Sequence, residues 1–162
     1  MRLLLAVISI LLLNSCSEMK PEDYKNTKPI IKIEEYFQGN VKAWGMLQER
    51  SGEVKRQFVA DMKGEFDGQN LILNETFIWN DGEKQERRWK IKKVGDNRYE
   101  GTASDVVGVA KGVSFGSAFK FEYKLLVPYK DKKIKIKFDD WIFKQDEKTA
   151  INKATLTKFG FK

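Results

Sequence analysis

Apolar and polar residues alternate along most of this chain from residue 41 onward. In the clearest example, Phe119, Phe121 and Tyr123 alternate with Lys120 and Glu122. The other apolar residues that repeat in this way are Val54, Phe58, Ala60, Met62 and Phe66; Leu71, Leu73, Phe77 and Trp79; Trp89 and Ile91; Leu125 and Val127; and Ile134, Ile136 and Phe138. Successive side chains of a β-strand point to opposite faces of a sheet, so this period of two predicts strands with one apolar and one charged face.

Short polar segments separate these runs and indicate hairpin turns. The segments RSGE, FDGQ, NDGE, VGDNR and YKDKK contain the Gly, Asn, Asp and Lys residues that tight turns favour. The runs amount to about eight or nine strands, and no long helix is predicted. We therefore expect an all-β domain over residues 33–162, folded as a single antiparallel up-and-down barrel of the lipocalin type, because closure removes exposed strand edges. A two-sheet β-sandwich is the alternative.

The first 32 residues do not follow this pattern. In residues 1–15, the basic residue Arg2 is followed by an apolar run from Leu3 to Leu13. This order is typical of a secretory signal peptide, and the run is too short to span a bilayer. The sequence LNSC at residues 13–16 resembles the bacterial lipobox, in which the cysteine sulfur is acylated. Residues 16–32 are polar and contain two prolines, so they are predicted to be a lipidated tether. The segment KIEEYFQG is predicted to form a short helical turn or a lid before the first strand.

The predicted lipid on Cys16 would place the protein at a membrane. Several acyl chains bury enough methylene groups for stable anchoring, so membrane lipid is the predicted partner. Ser17 follows the cysteine, and by resemblance to lipoprotein sorting in Gram-negative bacteria this favours the periplasmic side of the outer membrane. An ordinary signal peptide with a cysteine nearby is the alternative.

Composition narrows the chemistry that the domain can perform. Histidine is absent, and the one cysteine, Cys16, is predicted to be acylated. The usual general base, metal ligands and activated nucleophiles are therefore missing. We expect no enzyme activity, no catalytic residue, no metal site and no cofactor. The net charge is +7. We expect the basic residues to contact lipid phosphates rather than nucleic acid, or to form a solvated face without a partner.

Four charged residues fall in phase with the apolar positions and are candidate ligand-binding residues: Arg56, Glu75, Asp105 and Asp140. If they point into the barrel, they must pair, bind water or face a ligand, because unpaired charge in an apolar interior is costly. They would then orient a polar head group within an apolar cup. Alternatively, each lies at a strand end, where inside and outside no longer differ. Four tryptophans complete the candidate set, although this residue is also common in cores: Trp44, Trp79, Trp89 and Trp141.

The alternation changes phase at Asp139 and Asp140. Phe138 belongs to one phase, whereas Trp141 and Phe143 belong to the other. A β-bulge at the two aspartates would return these aromatics to the apolar face, so a bulge and a bend are expected there. Adjacent strand residues point in opposite directions, so the pair is not expected to act as a catalytic dyad.

Longer blocks of the sequence resemble a known family. They are YFQGNVKAWGMLQERSGEVKRQFVADMKGEFDG, FIWNDGEKQERRWKI, YEGTASDVVGVAKG and FDDWIFKQDEKTAINKATLTKFGF. These blocks are similar to an uncharacterised family of predicted Gram-negative lipoproteins that is catalogued as a domain of unknown function. Members usually continue after the KFGF block, so the resemblance implies that a last strand is missing here. It implies no catalytic residue.

These observations lead to one leading functional hypothesis and two alternatives. The first is a non-enzymatic outer-membrane lipoprotein whose barrel binds an apolar ligand such as a fatty acyl chain. The second is a non-catalytic scaffold whose solid barrel binds a protein partner. The third is an enzyme, or an accessory of an enzyme, that modifies lipid through Arg56, Asp105 and Asp140. Genes of the family that this chain resembles often lie near genes for lipid-modifying enzymes, which connects the family to lipid modification or stress response by association only.

Overall fold

The computed structural model describes residues 19–158, and antiparallel strands dominate it. The strands are β1 (Gly39–Gln48), β2 (Val54–Phe66), β3 (Asn70–Trp79), β4 (Lys84–Gly95), β5 (Arg98–Thr102), β6 (Ala110–Phe115), β7 (Ala118–Tyr129), β8 (Lys132–Lys144) and β9 (Ala150–Thr157). One turn of 3-10 helix (Pro21–Tyr24) and the one-turn helix α1 (Ile33–Tyr36) precede them. Within residues 19–158, no helix has the length and apolar character needed to cross a bilayer. The predicted signal peptide and Cys16 lie outside the described residues.

The nine strands form one sheet in which each strand pairs with its neighbours in sequence. The sheet curls strongly into a half-barrel, which confirms the predicted all-β, up-and-down antiparallel architecture. The β-sandwich alternative is not observed. The segments RSGE, FDGQ, NDGE, VGDNR and YKDKK form the turns β1–β2, β2–β3, β3–β4, β4–β5 and β7–β8, as expected from their composition.

Alternate residues of each strand line the concave face of the half-barrel. Cross-strand pairs such as Leu73 with Trp89 and Leu71 with Ile91 place apolar side chains of β3 and β4 on this face. Further concave residues are among the most buried of the described chain: Tyr99, Phe119, Phe121 and Leu125. The lysines and glutamates between them point to the convex face, so the period of two in the sequence corresponds to the two sides of one curved sheet.

Residues 30–38, which we call the plug, close one end of the half-barrel. Ile31 and Ile33 are each 1% exposed and belong to the same core cluster as Tyr99 and Phe119. The hydroxyl group of Ser114 donates a hydrogen bond to the carbonyl oxygen of Ile31 at 2.8 Å. The segment predicted as a short helical turn or lid is thus part of the core, and we call the opposite end of the half-barrel the open end.

The plug also connects β2, which lies next to one edge of the sheet, with β9 at the other edge. Among the described residues, β1 and β9 each pair with a single neighbour, so closure through strand pairing is not observed. The backbone of Phe37 lies directly against Gly64 of β2, and the hydroxyl group of Tyr36 contacts the backbone of Ala150 at the start of β9. Packing of the plug therefore joins strands that do not pair with each other.

Part of the predicted tether packs on the convex face. The ring centroid of Tyr24 lies 6.0 Å from that of Trp141 and 5.3 Å from that of Phe143. The side chains of Thr27 and Ser117 share a hydrogen bond of 2.8 Å. Residues 24–32 therefore belong to the folded body, whereas the sequence predicted a tether as far as residue 32.

The predicted bulge at Asp139 and Asp140 is wrong. Here β8 pairs with both β7 and β9 without any shift of register. Trp141 and Phe143 instead point to the convex face, where Tyr24 covers them, and Trp141 is only 5% exposed. The N-terminal segment covers this patch of the convex face. Trp141 and Phe143 are therefore removed from water although they point outward, and no bulge is needed to bury them.

We predict that a methyl group at Gly64 displaces the plug. A Cβ atom built on Gly64 lies 1.8 Å from the carbonyl oxygen of Phe37, so either the plug or β2 must move. Gly64→Ala should lower the free energy of unfolding by about 1–3 kcal/mol, measured by urea denaturation. Gly95→Ala is the matched control, because the nearest heavy atom to its built Cβ lies at 3.9 Å. Equal effects of the two substitutions would contradict the docking of the plug on Gly64.

Candidate ligand-binding site

Five polar residues meet at mid-depth on the concave face, and we call them the Arg87 cluster: Glu75 of β3, Arg87 of β4, Asp105 of the β5–β6 loop, Tyr123 of β7 and Asp140 of β8. The register of the sheet explains this meeting. Glu75 is the cross-strand partner of Arg87, and Asp140 is the partner of Phe121, which neighbours Tyr123 on the same face. Of the four charged candidates from the sequence, the structure brings Glu75, Asp105 and Asp140 together.

Asp105 holds Arg87 in a two-pronged ion pair. Arg87 Nε lies 3.2 and 3.1 Å from the two carboxylate oxygens, and Nη2 donates to Oδ2 at 2.9 Å. The backbone carbonyl of Asp105 accepts a hydrogen bond from Leu126 of β7 at 2.9 Å, which fixes the loop. Burial lowers the pKa of Arg87, but Asp105 and Glu75 outweigh burial and raise this pKa above its usual value. The guanidinium group therefore stays charged, and Asp105 neutralises it.

Aromatic rings surround the cluster. The Arg87 Cζ atom lies 5.9 Å from the ring centroid of Trp89 and 6.0 Å from that of Phe77. Tyr123 stacks on Phe138 with centroids 5.0 Å apart, and it meets Trp89 edge-on at 5.2 Å. These rings exclude water, so charge interactions are strengthened and unpartnered polar atoms become costly.

Glu75 has a carboxyl oxygen without a hydrogen-bond partner. Its Oε2 atom is buried and lies 3.7 Å from Arg87 Nη1, which is too far for a good hydrogen bond. Burial raises the pKa of Glu75 to about 7, against the opposing effects of Arg87 and of a hydrogen bond with Trp89. Near neutral pH this group therefore exchanges between the neutral and the charged form.

Asp140 is the second buried carboxyl group. The hydroxyl group of Tyr123 donates to Asp140 Oδ2 at 2.5 Å, while Oδ1 is buried without a partner in the described chain. Burial raises the pKa of Asp140 to about 6 although Tyr123 and Arg87 act in the other direction, and burial also raises the pKa of Tyr123 well above its usual value. No metal-binding group of three or more acidic or cysteine side chains is found within residues 19–158. The cluster thus offers two acceptor oxygens beside a cation that is already paired.

Three half-buried rings extend the concave face toward the open end, and we call them the open-end aromatic group: Phe58, Phe77 and Trp79. Phe58 meets Phe77 and Trp79 edge-on, with centroids 5.4 and 5.1 Å apart. The indole N–H of Trp79 has no hydrogen-bond partner among the described residues. Rings that are only half covered by the protein provide an apolar surface on which a ligand can pack.

Arg56 lies at the open end but does not join the cluster. Its Nη2 atom lies 2.7 Å from Asp81 and 2.8 Å from Glu83, both in the β3–β4 turn. Its Cζ atom also lies 4.1 Å from the ring centroid of Trp79. The strand-end alternative therefore describes Arg56, whereas Glu75 and Asp140 lie within strands.

The four candidate tryptophans divide between the two faces. Trp79 and Trp89 lie on the concave face, and Trp89 is 4% exposed as part of the core. Trp44 lies on the convex face of β1 and is 72% exposed. Trp141 also points to the convex face, where Tyr24 covers it. From these positions Trp44 and Trp141 cannot contact a ligand held in the half-barrel.

Arg87, the centre of the cluster, was not among the site residues predicted from the sequence. Arg87 precedes Trp89 by two residues, so the two side chains point to the same face of the strand, and Trp89 was assigned to the apolar face. This spacing was the one sequence signal that Arg87 points inward. The lysines and arginine around it, which point to the convex face, made it look like one more solvated charge. Its partner Asp105 is 18 residues away in sequence, and no local pattern connects the two.

Glu34 is a second buried polar residue that the sequence did not reveal. Its carboxylate accepts hydrogen bonds from Lys93 Nζ and from the Tyr99 hydroxyl group, each at 2.8 Å. Burial acts to raise the pKa of Glu34, but these two donors outweigh it and lower the pKa. Glu34 is satisfied by these partners, so it fastens the plug and is not part of the candidate site.

Comparison with known proteins identifies the family. Residues 10–162 match the family described as "Protein of unknown function (DUF3833)", and the chain therefore belongs to this family. The match confirms the predicted membership in a family catalogued as a domain of unknown function. No curated protein and no solved structure matches the chain. The candidate site therefore rests on the geometry described above.

We predict that the buried carboxyl groups make the protein less stable as the pH rises. The pKa of Glu75 rises from 4.5 to about 7 on folding, and that of Asp140 rises from 3.8 to about 6. Between those limits the folded state holds protons that the unfolded state has lost, so the free energy of unfolding falls with pH. The slope should reach about 1.4 kcal/mol per pH unit for each carboxyl group. Urea denaturation at several pH values measures it.

Substitution of the two carboxyl groups provides the control. The double variant Glu75→Gln and Asp140→Asn should flatten the slope and gain stability relative to the unchanged protein at pH values above about 7. Glu65→Gln, at an exposed carboxylate beside Lys63, should leave the slope as it is. An unchanged slope in the double variant would show that other groups cause the pH dependence.

Proposed function

We propose that this DUF3833 member is a non-enzymatic lipoprotein of the outer membrane, anchored through acylated Cys16, whose half-barrel binds an apolar ligand such as a fatty acyl chain. The observation that carries the proposal is the concave face. There, half-buried aromatic rings lie open beside a buried polar cluster, in a barrel-like fold that can hold a ligand. Membrane lipid is the proposed partner of the anchor, on the periplasmic side.

The two parts of the concave face suit the two ends of an amphipathic ligand. An acyl chain would pack on the open-end aromatic group, where each Å² of apolar surface removed from water contributes about 25 cal/mol. The polar end would lie at the depth of the Arg87 cluster, where Glu75 and Asp140 each have an unpartnered acceptor oxygen. A neutral end that donates a hydrogen bond, such as a hydroxyl or a protonated carboxyl group, satisfies these oxygens. A negatively charged ligand end would be repelled by these oxygens.

The chemistry of the cluster supports binding rather than catalysis. Its cation, Arg87, is neutralised by Asp105, and burial raises the pKa of the Tyr123 hydroxyl group well above neutral pH. The cluster therefore holds no activated nucleophile and no imidazole base. Glu75 and Asp140 can exchange protons near neutral pH, which would adjust the charge of the site as a ligand enters or leaves.

A scaffold function is the second candidate, and one observation favours it. β1 is an edge strand among the described residues, and its convex face exposes Trp44 and Met46, at 72% and 60%. Large apolar side chains on an open edge are typical of a protein interface. In this alternative the partner docks on β1, and the concave face holds no ligand.

We predict that a photo-crosslinking fatty acid labels the concave face of the full-length protein. Trp79→Ala should lower this labelling several-fold, because the substitution removes the largest ring of the open-end aromatic group. Trp44→Ala is the matched control, since it removes an equal ring from the convex face, and it should have no effect. Mass spectrometry of peptides locates the label. The Cys16→Ser variant should still be labelled, which excludes crosslinking by the anchor's own acyl chain.

The same experiment separates the two candidate functions. Absence of label from peptides of β2, β3 and β8 would contradict ligand binding at this site. If a photo-crosslinking amino acid at position 44 then captured one dominant protein in intact envelopes, the scaffold function would be favoured.

Acylation of Cys16 is a separate prediction. Cells fed a radioactive fatty acid should label the unchanged protein but not the Cys16→Ser variant. Only the unchanged protein should remain with outer membranes after a high-salt wash, which weakens contacts made by charge alone. Ser15→Thr or a similar change before the cysteine is not a suitable control, because it alters the LNSC sequence itself. Ser17→Ala leaves LNSC intact and serves as the control. An unlabelled protein, or equal fractionation of both forms, would refute the anchor.

A further inference from the structure

The β7–β8 hairpin ends in a lysine-rich segment, residues 124–136, which we call the hairpin tip. It contains a single acidic residue, Asp131, and five exposed lysines: Lys124, Lys130, Lys132, Lys133 and Lys135. Within the part of the chain that the structure describes, none of the five forms a salt bridge. The tip therefore has an excess of four positive charges that no ion pair among residues 19–158 neutralises.

Several lysines elsewhere on the convex face are compensated in a way that the tip is not. Lys42 lies 3.3 Å from Asp61, and Lys63 lies 2.9 Å from Glu65. At the base of the same hairpin, Lys137 lies 3.0 Å from Glu122. Other exposed cations, such as Arg88 and Lys92 of β4, also lack an ion pair among the described residues, but the tip concentrates five such lysines around one aspartate. This local excess of positive charge favours an anionic partner.

Exposed apolar side chains lie among the lysines of the tip. Leu126 is 40% exposed and Tyr129 is 46% exposed. Lys130 Nζ and Lys158 Nζ lie 5.8 and 4.5 Å from the ring centroid of Tyr129. Tyrosine and lysine both combine an apolar body with a polar end, which suits them to the boundary between lipid head groups and acyl chains. A phosphate backbone alone would leave Leu126 and Tyr129 in water.

The tip is far from the end of the body that carries the N-terminal segment. Tyr24 packs on Trp141 of β8, and Trp141 is nine residues along the strand from Lys132. At about 3.3 Å per residue, these points are about 30 Å apart. A contact at the tip is therefore distinct from the place where Tyr24 packs on the sheet, and it would bring the open-end aromatic group to the same surface.

We propose that the hairpin tip docks on an anionic phospholipid bilayer, with its lysines at the lipid phosphates and with Tyr129 and Leu126 at the head-group boundary. Charge complementarity selects the anionic lipid, and the exposed apolar side chains select a bilayer over other polyanions. The docking does not depend on the binding of a ligand in the half-barrel. It adds a second membrane contact to the proposed anchor.

An environment-sensitive fluorophore at the tip tests this proposal. The full-length Cys16→Ser chain with Asp131→Cys gives one labelling site, and Ser51→Cys places the same label in the β1–β2 turn, also at the open end. Vesicles of phosphatidylcholine alone are compared with vesicles containing an equal part of phosphatidylglycerol. We expect a blue shift only for the tip label, only with the anionic vesicles, and weakened by added salt.

Charge variants complete the test. Conversion of four tip lysines to glutamine should weaken vesicle binding by about fivefold per lysine, a loss that four substitutions elsewhere with the same change of net charge should not cause. The tip set is Lys130, Lys132, Lys133 and Lys135, and the control set is Lys42, Lys55, Lys63 and Lys111. No shift at the tip, an equal shift at Ser51→Cys, or equal loss in the two sets would overturn the proposal. A duplex oligonucleotide that produced the same shift would overturn the assignment to lipid.

Discussion

Ile31 and Ile33 bury almost their entire surface in the core cluster on the concave face of the sheet. Strands that pair only with their neighbours in sequence leave two edges and a large apolar surface, and such sheets usually hide both by closing into a barrel. Here the plug performs this role by packing against β2, β9 and the core together. The Glu34 hydrogen bonds fasten it in place. The half-barrel consequently has one filled end and one open end. The position of the other features follows from their distance to the filled end.

The Arg87 cluster lies where the packed core gives way to the open end. On one side of it are Trp89 and Phe121 in the core, and on the other are the half-buried rings of Phe77 and Trp79. The ion pair with Asp105 holds one cation there, so the remaining carboxyl groups receive only part of its charge. Burial then dominates, which explains why their pKa values rise although an arginine is close. The floor of the open end is therefore a polar surface whose charge depends on protons.

The N-terminal segment and the lysine-rich tip lie at different ends of the body. The N-terminal segment, which leads from the proposed anchor, meets the sheet near the plug, while the lysine-rich tip extends from the open end. Along β8, about 30 Å separate the tip from Trp141, on which Tyr24 of the N-terminal segment packs. In the proposed arrangement the anchor and the tip are two separate membrane contacts. A protein held in this way would keep the open-end aromatic group close to lipid, from which an acyl chain could enter without crossing water.

The sequence by itself determined the strands, the turns between them and the phase of most side chains. These depend on backbone geometry of period two and on local turn chemistry, both of which are local properties. For this reason the fold class was predicted correctly, and Glu75 and Asp140 were correctly placed on the apolar phase. Whether a phase corresponds to a buried surface is not local. Trp141 is buried on the convex face because Tyr24, which lies more than a hundred residues earlier in the sequence, covers it.

Only the tertiary structure decided which polar residues act together. The meeting of Glu75, Arg87 and Asp105 requires the register of β3 and β4, a loop fixed on β7 and the curvature of the sheet. Likewise, the plug reaches Gly64 and Tyr99 across most of the sheet, and no residue in KIEEYFQG indicates that destination. Contacts of this kind are set by the simultaneous packing of segments that are distant in sequence, so a pattern read along the chain cannot contain them.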